Sequence, residues 1–143
     1  MVDAGKVAEK LGGKRLLGSD IHTTSELRVA VEEGLPVESL DFVVHELAEN
    51  TTIAVELKHR IVPKTTLQRR KRLSMEESQR LERLARITAL AEEVWADKDL
   101  AHEFLTSPQP QLEGERPIDL ARSELGAREV EALLMKIEYA LPV

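Results

Sequence analysis

The chain has no cysteine. That excludes a disulfide framework and any thiolate metal site, and it fits a reducing cytosol, the compartment expected here. Aromatic residues make up only 3%. The core must therefore come from Leu, Val, Ile and Ala, which suits packed helices better than a β-sandwich. No apolar run approaches the roughly 20 residues of a membrane helix. The opening "MVDAGKVAEKLGGK" has no continuous apolar stretch of the kind a secretory signal needs. His22, His45, His59 and His102 do not pair at a metal-ligand spacing and read as surface or half-buried polar groups. "LGGK" lacks the spacing and the Ser/Thr of a phosphate-binding loop and reads as a turn. No nucleophile, base and orienting group come together. The expectation is a protein with no cofactor and no chemistry of its own.

What is present is apolar content of 42% in 143 residues, enough for one compact domain or two small ones. Charge is unevenly placed. Residues 1–57 carry net −6, residues 58–72 carry +7 with no acidic residue, and residues 73–143 carry −7. An acidic chain that concentrates its cations in one block can still bind phosphate there.

Helical period dominates. Thr23 with Glu26 has the spacing of a capping box, and "ELRVAVEEG" reads as a helix ended by Gly34. Pro36 opens the next, with Val37, Leu40, Val43, Val44 and Leu47 on one face. Asn50 or Thr51 caps "IAVELKHRIV", which Pro63 interrupts. Pro63 also suits the first position of a new helix, the basic "KTTLQRRKR". Ser74 with Glu77 repeats the capping box before a long helix reaching Trp95. Asp97 or Asp99 starts a shorter one. "TSPQPQLEGERP" is a Pro/Gly loop, "PIDLAR" a brief turn, "SELG" a break, and "AREVEALLMKIEYAL" the last helix. "RLL" near the start is a possible short strand. The reading is all-α, divided at residue 73 into residues 1–72 and 73–143.

Two short helices around a tight break, the second basic, make the layout of a helix-turn-helix. Lys64, Thr65, Thr66 and Gln68 are the early positions, suited to base edges in the major groove. Arg69, Arg70, Lys71 and Arg72 follow and suit phosphates, whose contacts position a protein without specifying sequence. The alternative is a solvated basic helix end that complements the helix dipole.

The ordered series "LGGKRLLG", "EEGLPVESLD", "RRKRLSMEESQRL", "RLARITALAEEVW", "FLTSPQPQLEGERPIDL" and "GAREVEALLMKIEYAL" resembles the Xre/MbcA/ParS antitoxins over about residues 10–141. The resemblance implies an N-terminal Xre-type helix-turn-helix that represses the module's own promoter. It implies a C-terminal helical domain that binds a RES-domain toxin acting on NAD, either degrading it or transferring ADP-ribose. Carried onto this chain, the toxin-binding loop is Leu112, Glu113, Arg116, Pro117 and Ile118. The terminal segment covering the NAD pocket is Glu138, Tyr139, Leu141, Pro142 and Val143. The implied partners are the toxin, operator DNA and a second copy within a larger complex, with no membrane. Two regions depart from the family pattern. Ile61 and Pro63 stand in a turn that commonly holds Gly, and Ala140 stands where Gly commonly follows the last helix. The rival reading is a dimeric helix-turn-helix regulator without a toxin partner. The third is a helical enzyme, for which no motif argues.

Overall fold

The computed structural model describes residues 2–63 and 70–139. Among these the chain forms nine α-helices and no strand. They are α1 (Ala4–Lys10), α2 (Gly13–Leu17), α3 (Thr24–Glu33), α4 (Val37–Leu47), α5 (Thr51–Ile61), α6 (Met75–Trp95), α7 (Lys98–Thr106), α8 (Pro117–Leu120) and α9 (Glu124–Glu138). A 3₁₀ turn at Pro110–Leu112 interrupts the Pro/Gly loop.

The starts are set by side chains that accept from the orphan first-turn N–H groups. Asp3, Asn50, Asp97 and Ser123 do so for α1, α5, α7 and α9. Thr23 with Glu26 and Ser74 with Glu77 form the two complete capping boxes their spacing indicates. Three expectations are corrected. "RLL" lies within α2 and is helical, not extended. "SELG" is not a break, because Ser123 caps α9 and Glu124 is already inside it. Residues 70–72, read as the end of the basic helix, are not helical: Arg72 bridges to Pro36 and Lys71 O accepts from Val37 N, so the turn before α4 takes up this backbone.

The 21 residues of α6 form the spine. This helix packs against α1, α3, α4, α5, α7 and α9. One apolar cluster follows from this, running from Val7 and Leu11 through Leu40, Val44, Leu81 and Ile87 to Leu105, Val130 and Leu134. Each fully buried Leu, Ile or Val in it contributes about 1.5–3 kcal/mol. The sparse aromatic content leaves one ring pair, Trp95 with Phe104, at a centroid distance of 6.0 Å among the described residues.

Candidate functional site

Both flanks of the basic run, one at the end of α5 and one before α6, are tied to the first turns of α6. At the first, Arg80 Nη1 donates to the carbonyl of Ile61 at 2.9 Å. At the second, the Arg70 guanidinium pairs with Glu77, Nη1 to Oε2 at 3.2 Å. Glu77 is the nearly buried third residue of α6. The Arg70 hydrogen bond lowers its pKa below the usual carboxylate range, outweighing burial, with the Ser74 backbone N–H assisting.

Residues 71–73 then pair with the α3–α4 turn. Val37 N donates to Lys71 O at 3.0 Å, and Leu73 N donates to Leu35 O at 2.8 Å. Arg72 Nη1 donates to Gly34 O at 2.8 Å. Gly34 has φ +100°, and a Cβ placed on it would lie 2.4 Å from Leu73 O. Beneath the turn, Leu35 N donates to Ser78 Oγ at 2.8 Å, both residues being fully buried.

Of the residues assigned to DNA, Arg70 and Arg72 are therefore engaged in holding the fold, and Lys71 is exposed. Lys64, Thr65, Thr66, Gln68 and Arg69 lie outside the described residues.

On the C-terminal side, Leu112, Pro117 and Ile118 are buried and pack into the cluster rather than face solvent. Glu113 is exposed, with left-handed φ 58°. Arg116 is half-buried and clamps Asp119 through two bonds, Nε to Oδ2 at 2.8 Å and Nη2 to Oδ1 at 3.1 Å. Glu138 and Tyr139 are exposed at the end of α9. Leu141, Pro142 and Val143 lie outside the described residues. Between the 3₁₀ turn and α9 runs a groove of about 590 Å³, lined by Gln111, Leu112, Glu129, Ala132, Leu133 and Lys136.

Contacts invisible to local pattern join these two regions. Asp119 also pairs with Arg60 of α5, so one nearly buried carboxylate is held by guanidiniums from both halves. Arg83 donates to the carbonyls of Ala121 and Arg122, at 3.1 and 3.0 Å, closing the C-terminal end of α8. Burial pulls the Arg83 guanidinium below its ordinary range, against the pull of Glu124 and Glu82. Arg86 lies within 3.5 Å of Glu82, 3.3 Å of Glu131 and 3.2 Å of Glu124. Burial raises Glu82, and the Arg86 charge opposes that rise. Lys10 of α1 bridges Glu46 of α4 and Glu92 of α6, at 3.4 and 2.6 Å, and Glu92 also meets His102 of α7 at 3.3 Å. No sequence signal singled out Asp119, Arg83 or Lys10, because each has a partner 36 or more residues away.

Among the described residues no group of three or more His, Asp or Glu has the geometry to hold a metal, and no helix is long and apolar enough to cross a membrane. The site offers charge and shape for macromolecular contact. Residues 90–140 match the family model described as the antitoxin Xre/MbcA/ParS C-terminal toxin-binding domain. The chain is also 30% identical, over 96 residues, to antitoxin Xre of Pseudomonas putida. That match covers 64% of this chain and 60% of the relative, so it spans well under two thirds of that protein's length. By these matches the chain is similar to antitoxins over part of its length. Both matches point to the Xre/MbcA/ParS antitoxins, the family its motifs resemble.

Proposed function

We propose that the protein is the antitoxin of a two-gene toxin–antitoxin pair. In this reading residues 73–143 bind a RES-domain toxin that consumes NAD and occlude its active site. Residues 1–72 bind the operon's own promoter and repress it. The observation that carries the reading is the match of residues 90–140 to a toxin-binding domain. Electrostatics support it. The net −7 of residues 73–143 complements a cleft built to hold the phosphates of NAD, and would steer association with it. Exposed Tyr139 and Glu138 sit where the terminal segment begins, at the end of the helix that walls the 590 Å³ groove. Lys64, Arg69 and Lys71 supply the DNA-facing charge. A second copy would double that charge and present two half-sites.

The test uses the full chain, because α6 buries one face against α1 and α3 and a fragment beginning at residue 73 would expose it. The chain is co-expressed with the product of the adjacent gene, and survival and co-purification are measured. Rescue with a stable complex is expected. Deleting residues 138–143 should weaken neutralisation while leaving promoter binding unchanged. No rescue by the full chain would refute the antitoxin reading and leave the plain regulator. For DNA, Lys64, Arg69 and Lys71 are changed together to Ala, sparing Arg70 and Arg72, which hold the fold. Weaker binding to the upstream duplex with a flatter salt dependence is expected. An unchanged slope would remove the basic run as the contact.

A further inference from the structure

The outward side of α9 carries an ordered stripe that the fold does not use. Leu125, Glu129, Ala132, Lys136 and Tyr139 fall alternately four and three apart, so they share one side of the helix, and all five are exposed. Leu125 and Tyr139 end the stripe at 69% and 67% exposure, the two highest values among the exposed large apolar residues. The others, Val29, Val55, Met75 and Leu100, stand on four different helices at 50% or less. Between the two apolar ends lie one acid and one base. Neither side chain has an ion-pair or hydrogen-bond partner among the described residues. Glu129, Ala132 and Lys136 also form one wall of the 590 Å³ groove, whose other wall is the 3₁₀ turn with exposed Pro110 and Gln111.

We propose that a second copy of this chain docks on the stripe, its α9 running antiparallel along the groove. The order of the residues carries the inference. The midpoint of Leu125 and Tyr139 falls on Ala132, and the midpoint of Glu129 and Lys136 falls between Ala132 and Leu133. The two pairs therefore share one centre, which a self-complementary face about a two-fold axis requires. About that centre Glu129 of each copy meets Lys136 of the other, and Leu125 of each meets Tyr139 of the other. Ala132, the smallest side chain of the stripe, lies at the crossing, where the two helices approach most closely. A parallel pairing would set Glu129 on Glu129 and Lys136 on Lys136, so charge selects the direction. Exposed apolar residues scattered singly need no explanation. Here the two most exposed stand on one helix, placed symmetrically about an unpaired acid and an unpaired base. The inference needs neither the toxin nor the DNA reading, and exposed Glu138 lies off the stripe and stays open.

Sedimentation equilibrium of the full chain reads the pairing. The wild type, E129K, K136E and the double reversal are compared, all at exposed positions outside the core. A single helix pair is a small interface, so the wild-type dimer should dissociate on the order of micromolar. Either single reversal sets like charges together twice across the two-fold seam and should weaken the dimer on the order of tenfold. The double reversal restores both contacts and should return the wild-type affinity. Because the chain has no cysteine, Ala132→Cys under mild oxidation should give a single disulfide-linked dimer. A wild type that stays monomeric well above micromolar concentration overturns the inference. So do single reversals that dimerise as tightly as the wild type, or a double reversal that recovers nothing, since the copies then meet elsewhere. Toxin co-purification is followed on the same variants. If K136E loses the toxin while its oligomeric state is unchanged, the groove belongs to the toxin and the inference falls.

Discussion

Gly34→Ala should be among the most damaging single-methyl changes in the molecule. Gly34 has φ +100° and ψ 121°, a region that residues with a Cβ rarely occupy. Holding alanine there costs about 1–3 kcal/mol. The added Cβ would also stand 2.4 Å from the Leu73 carbonyl oxygen, a backbone atom with no flexible end to yield. Relief requires residues 71–73 to move away from the α3–α4 turn. That strains the Leu73–Leu35 and Val37–Lys71 backbone bonds and the Arg72 bond to Gly34 O. Losing one to two of these adds about 1–3 kcal/mol, since buried partners go unsatisfied. The sum is about 2–6 kcal/mol, a large share of a typical total of about 5–15. At about 2–4 °C per kcal/mol for a chain near this size, a loss of about 4 kcal/mol should lower the midpoint by roughly 8–16 °C.

Urea unfolding followed by circular dichroism reads the change directly. Gly114 supplies the control. Its φ is +80°, and an added Cβ meets nothing within 4 Å, so Gly114→Ala isolates the backbone cost without the clash. G34A should therefore exceed G114A by about 1–3 kcal/mol. Equal losses in the two variants, or a G34A loss below about 1 kcal/mol, would refute the close packing of the 71–73 segment on this turn.

Two further expectations concern the same corner. Ser78→Ala leaves the buried Leu35 N–H without its acceptor and should cost about 1–3 kcal/mol in the same assay, whereas the exposed Ser25→Ala should cost almost nothing. Glu77, lowered by Arg70, makes stability depend on acid. Its contribution is fully present above its ordinary value of 4.5 and is lost as pH falls through the lower folded value. Glu77→Gln should flatten the stability profile below about pH 4.5, and an identical acid limb in both proteins would show the pair to be inert.

Local chemistry made much of the fold legible. Thr23–Glu26 and Ser74–Glu77 state their helix starts within four residues, and Pro63 states the stop of α5. Periodicity placed α4, α6 and most of α9. The errors arose where a distant partner overrode local preference. Residues 70–72 follow a helix-compatible basic pattern, yet Lys71 and Arg72 pair with the 34–37 turn and the segment is not helical. "SELG" looks like a break because of Gly126. That glycine instead lets α9 begin hard against α8, since a Cβ there would lie 1.9 Å from Leu120 O. Leu112, Pro117 and Ile118 read as contact residues in a surface loop. Apolar side chains in a Pro/Gly loop also anchor it to the core, as they do here. Arg70 and Arg72 were read for their charge, and only the folded chain reveals their carboxylate and carbonyl partners.

α6 spans about 31 Å as a helix of 21 residues. It packs against α1 and α3 as well as against α7 and α9. Exchange of parts between relatives is constrained by that arrangement. A hybrid joining residues 1–72 of one chain to 73–143 of another must also match the apolar facets that α1 and α3 press onto α6, and the Arg60–Asp119 pair across the seam. Drift in the preference for one partner is thereby mechanically tied to the surface that meets the other. New pairings should arise more readily by substitution at exposed positions such as Tyr139, Glu113 and Arg122 than by shuffling whole halves.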